Sequence, residues 1–350
     1  MRTALTELLD LSVPIVQAPM AGVSTPGLAA AVIKAGGLGS IAVGAMNAAA
    51  ADSAISNARR AAAGPLNVNV FVHPAPRRDR AREAAWLRRL EPWFGEFDAE
   101  PPAVLEEIYR PLDDDPDLLA VLLDHAPAVV SLHFGLPDAA TLRALKGAGC
   151  RLLATATSVA EAVQLEAAGI DAVIAQGFEA GGHRGAFGSG PDEGLSTFAL
   201  LPAIVHAVDV PVLAAGGLSD GAGIAYALEL GAAGVQLGTV FVDCPESAAA
   251  DAYRQALRNP DRRTAMTSVF SGRPARGLVN RFVRELGEHD AEAPDYPLAY
   301  DAAKRLAAAA GAAGSSEFAA MWAGEGRTRP NPMPAGALLR ALEEEATAGR

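Results

Sequence analysis

Short apolar runs alternate with alanine-rich helical patterns along most of the chain. A helical pattern typically ends at a glycine, and a β-type run follows within a few residues, as at Gly149 before residues 151–155 and at Gly169 before residues 170–175. Glycine just past the last helical residue is a common C-terminal stop of a helix. The pattern therefore predicts repeated helix-to-strand joints.

The starts of several helices are also marked in the sequence. Thr25 precedes Pro26, which places a capping hydroxyl before a proline at the first helical position. Ser158 and Glu161 have the spacing of a capping box. Together with the glycine stops, these signals predict strands and helices in regular alternation.

The apolar runs predict eight strands. They cover residues 14–18, 38–41, 66–71, 129–133, 151–155, 170–175, 211–215 and 235–237. Eight strands separated mostly by helices are typical of an α/β (β/α)8 TIM barrel, whose parallel crossovers each need a dozen or more residues. A doubly wound open sheet has the same alternation, but the count of eight favours the closed barrel.

Two segments are too long for a minimal barrel. Residues 73–128 contain Trp86, Trp93 and several prolines, and we interpret them as a helical insertion within a barrel domain over residues 1–244. Residues 245–326 predict an α-helical lid or subdomain beside the barrel mouth, and residues 327–350 predict a C-terminal helical tail.

Composition limits the function classes. The formal net charge is −12, and no basic block with interleaved aromatic residues occurs, so nucleic acid is not an expected partner. The cysteines, Cys150 and Cys244, have no metal-type spacing, and no run of 18 apolar residues appears. We expect a cytoplasmic protein without membrane spans or metal, as a monomer or homodimer with a small-molecule substrate.

Glycine-rich loops follow the seventh and eighth predicted strands. Such barrels commonly bind a phosphate there, through main-chain N–H groups and a helix N-terminus. Gly216 and Gly217 lie in the first loop, and Gly238 and Thr239 in the second. The alternative is a pair of plain tight turns, but both loops have the expected position.

A histidine lies in the loop after the sixth predicted strand. That loop contains Gly181, Gly182 and His183, and a histidine there can donate, accept or move a proton. The alternative is a surface turn with a solvated His183. His133 ends the fourth predicted strand, where it could line the substrate side of the pocket.

Amide side chains occur where strands should end at the same rim. Asn69 lies in an alternating Asn-Val-Asn-Val strand, and Gln176 ends the sixth strand. A buried amide needs partners, and either a heteroaromatic ring or a neighbouring strand could supply them. Pro19 and Met20 could form an apolar floor under such a ring, although Met is more often simple core packing.

Five motifs, in order along the chain, resemble the nitronate monooxygenases, formerly called 2-nitropropane dioxygenases. They begin at Gln17, Asn67, Gly177, Ala215 and Gly234, and a late Met-Trp-Ala-Gly-Glu-Gly at 321–326 is similar to the Trp-Ala-Gly-Gln-Gly of that family. The resemblance implies an FMN-dependent TIM barrel that oxidises alkyl nitronates with O2 to carbonyl compounds and nitrite.

The resemblance also implies roles for individual residues. His183 matches the family's active-site histidine, which would hydrogen-bond the anionic nitro group or take the α-proton of a neutral nitroalkane. The residues expected to bind FMN are Ala18, Pro19, Met20, Asn69, Gln176, Gly181, Gly182, Gly216, Gly217, Gln236, Leu237, Gly238 and Thr239.

The chain differs from the family pattern at two places. Glu325 stands where the family often has Gln, and the end of the fifth strand lacks a lysine that some members have.

An FMN-dependent NAD(P)H reductase, of the enoyl-acyl-carrier-protein reductase or NADH:quinone reductase type, shares the scaffold and the histidine loop. An inosine-monophosphate dehydrogenase would need a catalytic cysteine after the sixth strand, and neither cysteine lies there. A non-catalytic flavin-binding protein is the remaining alternative.

Overall fold

A computed structural model describes residues 1–188, 192–326 and 332–348. Eleven strands occur in these ranges. They are β1 Ile15–Gln17, β2 Gly39–Ala42, β3 Leu66–Phe71, β4 Val129–His133, β5 Arg151–Ala156, β6 Ala172–Gln176, β7 Gly182–His183, β8 Val212–Ala215, β9 Gly234–Leu237, β10 Thr264–Thr267 and β11 Ala275–Leu278.

The helices of the same ranges mostly follow the strands. They are α1 Ala4–Leu9, α2 Pro26–Lys34, α3 Ala48–Ala61, α4 Arg80–Gly95, α5 Pro116–His125, α6 Ala139–Gly147, α7 Val159–Ala167, α8 Thr197–Ala207, α9 Gly221–Glu229, α10 Thr239–Val242, α11 Asp251–Arg258, α12 Arg281–Leu286, α13 Leu298–Ala312 and α14 Ala335–Ala348, with 3-10 turns at Leu112–Asp114 and Gly287–Glu292.

Eight parallel strands of the described ranges form a (β/α)8 TIM barrel, which confirms the predicted fold class. Their order is β1-β9-β8-β6-β5-β4-β3-β2, and a parallel bridge between Val16 and Leu38 connects the two ends. The eight predicted strands all appear, with bounds that differ by at most two residues. Their near-continuous apolar sequences suit strands that are covered on both faces.

The barrel interior is apolar at one end and polar at the other. Helix α1 places Leu5 and Leu9 against the amino-terminal end, where they pack with inward residues such as Val129 and Leu153. Along each strand, inward positions recur every second residue. The inward positions two residues further on are polar in β4 and β5, namely Ser131 and Thr155. The polar layer therefore lies at the carboxyl-terminal rim.

A second hydrophobic cluster lies apart from the barrel core. It joins Trp86 and Phe94 of α4 to Phe282 of α12 and Leu306 of α13. Part of the predicted insertion at 73–128 thus packs with part of the predicted lid at 245–326. The other helix of that insertion, α5, lies between β3 and β4 in sequence and packs on the barrel through Leu122.

The later chain differs from the sequence interpretation in one respect. The segment interpreted as α-helical contains β10 and β11, which form a three-stranded antiparallel sheet with the histidine strand β7. The sequence pattern of β10 and β11 does not indicate strands, because each strand is only four residues long and one contains glycine. Helix α14, within the predicted tail, packs through Leu338 and Leu342 in the barrel cluster, against α2 and α9.

Within the described ranges, no helix has both the length and the apolar content needed to cross a bilayer.

Candidate active site

Hydrogen bonds to its main chain fix the position of His183 at the barrel rim. The carbonyl oxygen of His183 accepts from Nε2 of Gln176 at 3.0 Å and from Nε2 of His133 at 3.2 Å. Strand β7 also pairs with β11, opposite Ala275. Two side chains from barrel strands and one outer strand therefore fix the backbone of the histidine loop.

Gln176 is largely engaged by this loop. Its Oε1 accepts from the main-chain N–H of Gly185 at 2.8 Å, while its Nε2 donates to His183. The sequence expectation placed Gln176 among the FMN contacts. In the structure, the amide of Gln176 supports the loop that carries His183. We therefore expect Gln176 to act mainly by fixing the position of His183.

His133 has a defined tautomer. A carbonyl oxygen can only accept, so the Nε2 that bonds the carbonyl of His183 carries the proton. Nδ1 of His133 then accepts from the hydroxyl of Thr155, at 3.1 Å. Sequence reasoning placed His133 at the substrate side. The structure shows a neutral ring that joins β4, β5 and the histidine loop.

Aromatic rings surround the imidazole of His183. Its centroid lies 5.4 Å from that of Tyr296, 6.0 Å from Tyr300, 5.1 Å from Trp322 and 5.7 Å from Phe134. We call these four residues the aromatic cage. Three of them come from outside the barrel strands and their loops, so the segment after the barrel helps to form the pocket.

A cation and a third tyrosine extend the cage. Nζ of Lys304 lies 5.1 Å from the ring centroid of Tyr109 and 5.4 Å from that of Tyr300. Sequence reasoning missed these residues. The available signal was the spacing of four between Tyr296, Tyr300 and Lys304, which places them on one face of α13 and the turn before it.

Burial keeps the groups of this pocket neutral. It lowers the pKa of His183 to about 3 and that of His133 to about 4, with Arg273 adding to both shifts. Burial also raises the pKa of Tyr109 and of Tyr300 to about 12. At neutral pH the imidazoles therefore carry one proton each and the phenols remain hydrogen-bond donors.

The glycine loop after β8 has a left-handed backbone, and the loop after β9 packs beside the motif that follows β1. Gly216 and Gly217 have φ values of 117° and 70°, a region that favours glycine. A Cβ added at Gly238 would lie 3.5 Å from Cβ of Ala18 and 3.8 Å from Sδ of Met20. The structure thus brings the motif after β1 to the loop after β9.

The helix N-terminus after Gly217 is already capped. Oδ1 of Asp220 accepts from the N–H of Gly223 at 2.8 Å, and Glu345 accepts from the N–H of Gly221 at 3.1 Å. Two carboxylates there disfavour a phosphate at the start of α9. By contrast, α10 begins at Thr239 with no side-chain cap. Gly238 and Thr239 are therefore the better candidates for binding a phosphate.

The late Met-Trp-Ala-Gly-Glu-Gly motif crosses the barrel rim. The N–H of Gly324 donates to Oγ1 of Thr239 at 3.0 Å. A Cβ at Gly181 would overlap the main chain of this motif at Gly324. Gly181 is therefore needed for the histidine loop and the motif to pack closely. Glu325 forms an ion pair of 2.9 Å with Arg276, which is 4% exposed. The family's usual Gln could not make this ion pair.

Several predicted cofactor residues meet at the rim with groups suited to a flavin ring. Oε1 of Gln236 is buried without a partner among the described residues, and a ring N–H would satisfy it. Asn69 anchors its amide nitrogen on Ser131 at 3.0 and 3.1 Å. Leu237 is buried, with its carbonyl accepting from Ala18 at 2.8 Å. These residues fit FMN.

Metal chemistry has no comparable donor set in what the structure describes. Residues 1–188, 192–326 and 332–348 contain no group of three His, Cys, Asp or Glu side chains that could hold a metal ion.

The fold and these loops define a class: a (β/α)8 barrel with a histidine after the sixth barrel strand and glycine loops after the seventh and eighth. The sequence model of the nitronate monooxygenases matches residues 2–345. The chain belongs to the nitronate monooxygenase family, and it is an oxidoreductase.

Individual relatives agree with this assignment. A nitronate monooxygenase of Pseudomonas aeruginosa is 51% identical over 345 residues, which cover 97% of this chain and 98% of the relative. One from Paraburkholderia phytofirmans is 50% identical, covering 98% of this chain and 95% of the relative.

Solved structures are also similar. A nitroalkane oxidase of Streptomyces ansochromogenes has a TM-score of 0.91 at 42% identity, covering 99% of both chains. FabK of Thermotoga maritima has a TM-score of 0.76 at 30% identity, covering 99% of this chain and 97% of the other.

Proposed function

We propose that this chain is an FMN-dependent nitronate monooxygenase that oxidises alkyl nitronates with O2 to carbonyl compounds and nitrite. The observation that supports it most is the placement of His183. The imidazole lies within an aromatic cage at the barrel rim where the candidate FMN loops meet. Family membership and the relatives' names agree with this activity.

FMN would be held by main-chain and side-chain groups at the rim. We assign its phosphate to Gly238 and Thr239, with the Gly217 loop of the neighbouring strand beside them, and its ring to the polar positions Asn69 and Gln236 above the floor of Ala18, Pro19 and Met20. When bound, FMN supplies the electron transfer and the reaction with oxygen, and the protein contributes binding, orientation and electrostatics.

The chain's own residues bind and orient the substrate. The aromatic cage would place apolar surface against a small alkyl group beside His183. The neutral phenols of Tyr109 and Tyr300 can donate hydrogen bonds to an anionic nitro group, and Lys304 adds a positive charge beside them. An acidic protein would thus bind an anion through local groups.

The proposed activity has a direct test. We expect the purified protein to be yellow, to release FMN but no FAD on denaturation, and to form nitrite from propyl 2-nitronate with consumption of O2. A colourless preparation that cannot be loaded with FMN would contradict the cofactor assignment. A flavin-loaded protein that forms no nitrite would contradict the substrate assignment.

A reductase is the second candidate because FabK is 30% identical and structurally similar. Anaerobic mixing with NADH distinguishes the two activities. We expect little flavin reduction by NADH or NADPH on the time scale of nitronate turnover. Rapid reduction by either nucleotide would favour the reductase.

A further inference from the structure

Ser271 is the hydrogen-bond partner of the His183 ring. Its Oγ lies 2.8 Å from Nε2 of His183, and Ser271 is fully buried. The same Oγ accepts from the main-chain N–H of Arg273 at 3.3 Å and donates to the carbonyl oxygen of Arg273 at 3.1 Å. Three polar groups therefore share one hydroxyl.

Counting protons assigns the direction of each bond. A hydroxyl has one proton and two acceptor lone pairs, whereas a carbonyl oxygen can only accept. The hydroxyl of Ser271 gives its proton to the carbonyl of Arg273, for which no other donor occurs in the described ranges. Both lone pairs then accept, from the N–H of Arg273 and from Nε2 of His183. All three groups are satisfied only when Nε2 carries the proton.

The loop that carries Ser271 is held rigidly. Gly272 has a φ of 82°, and a Cβ there would overlap the main chain at Pro294 and Tyr296. A side chain at this position is excluded, so residues 271–273 lie directly against the segment that carries Tyr296 of the aromatic cage. One contact therefore places both Ser271 and Tyr296 beside His183.

We propose that Ser271 is a positioning residue that fixes His183 as the Nε2–H tautomer and leaves Nδ1 as the proton-accepting atom that faces the pocket. In the described part of the chain, Nδ1 of His183 makes no hydrogen bond. Donors to an anionic nitro group would then be the tyrosine phenols and Lys304, with His183 as an acceptor. The catalytic consequence rests on the proposed function, whereas the tautomer does not.

The tautomer can be measured by 15N NMR on the flavin-loaded protein with labelled histidine. We expect Nε2 of His183 to have a pyrrole-type shift and Nδ1 a pyridine-type shift, with the resonances assigned by their loss in His183→Gln. Ser271→Ala should give mixed or inverted shifts, and Ser271→Thr, which keeps the hydroxyl, should restore them. Protonated Nδ1 in the wild type, or an unchanged tautomer in Ser271→Ala, would overturn the proposal.

Kinetics give a second readout. Ser271→Ala removes the hydrogen bond to the His183 ring, so we expect kcat on a nitronate to fall at least about tenfold, since small misplacements can cost about 100-fold, with FMN content unchanged. Ser247→Ala is the matched control, because Ser247 is a buried serine whose hydroxyl donates to a carbonyl, that of Val242, at 2.6 Å. It should keep full activity. Wild-type protein without nitronate activity would contradict the proposed function, while the NMR result would still decide the role of Ser271.

Discussion

Among individual residues, the candidate site depends on a few side chains that hydrogen-bond the histidine loop. Gln176 and His133 hold the backbone of His183, and Ser271 bonds its ring. Each partner comes from a different part of the chain. The histidine is therefore oriented before any ligand binds, which lowers the entropy cost of reaching a productive geometry.

The first prediction concerns His183. We expect His183→Ala to retain FMN at the wild-type ratio, because the imidazole lies outside the loops predicted to bind the phosphate. The variant should lose most nitrite formation, because the imidazole lies in the predicted substrate pocket. The measurement combines the visible spectrum with nitrite release from a nitronate. His206→Ala, at an exposed position on α8, serves as the control and should keep full activity. Full turnover in His183→Ala would remove this residue from the mechanism.

At the scale of elements, short loops after parallel strands form the site. The loops after β8 and β9 come together because these strands are neighbours in the barrel. The segment at 321–326 then packs on both the histidine loop and Thr239. This contact connects the candidate phosphate loop to the aromatic cage, through Trp322.

The second prediction concerns the loop after β8. We expect Gly217→Val to lose FMN, because valine is strained at a φ of 70° and its Cβ would lie 3.2 Å from Cβ of Glu179, so the loop beside the candidate phosphate groups would have to shift. Gly149→Val is a matched control: Gly149 also has a positive φ, of 91°, but it precedes the opposite end of the barrel and its added Cβ would meet open space. Both variants carry a backbone strain of about 1–2 kcal/mol.

Flavin content and thermal unfolding should be measured together for these variants. The control should lose some stability and keep its flavin. Stoichiometric FMN in Gly217→Val would show that the loop after β8 does not help to hold the phosphate.

At the scale of the whole molecule, two hydrophobic clusters meet at one pocket. The barrel core supplies the rim, and Tyr300 and Trp322 of the aromatic cage pack against the cluster of α4, α12 and α13. Phe134 and Tyr296 form a small cluster with Tyr109 beside them. The pocket is closed enough to hold three histidines, His73, His133 and His183, in their neutral state. Their burial makes folding sensitive to pH.

The third prediction follows from these histidines. Burial lowers the pKa of His73 and of His133 to about 4 and that of His183 to about 3. Unfolded histidine titrates near pH 6.5, so below that pH the unfolded state binds more protons than the folded state. The stability present above pH 6.5 is therefore lost as the pH falls towards 4, by up to about 1.4 kcal/mol per pH unit for each histidine.

Urea unfolding at pH 7 and pH 5 measures this dependence. We expect the free energy of unfolding to fall with pH, and His73→Phe to reduce the slope because it removes one of the three groups. His206→Ala, which removes an exposed imidazole, serves as the control. An equal slope in His73→Phe would mean that His73 is not held neutral.

The barrel and the loops that follow its strands could be predicted from local sequence patterns. Strand runs, glycine stops and helix caps are local signals, and closed parallel packing is the way in which eight such units bury their apolar faces. The same local signals placed His183 at a rim and the glycine pairs after the seventh and eighth barrel strands. The family motifs lie in these loops, so they too could be found from sequence.

The surroundings of His183, in contrast, depend on long-range packing. Ser271, Tyr296 and Tyr300 are about 90 to 120 positions away along the chain, and their approach depends on how the segment after β9 folds back over the rim. Likewise, Glu345 accepts from the N–H of Gly221 at the start of α9 only because α14 returns to the barrel. Contacts of this kind come from long-range packing, which no short window of sequence encodes.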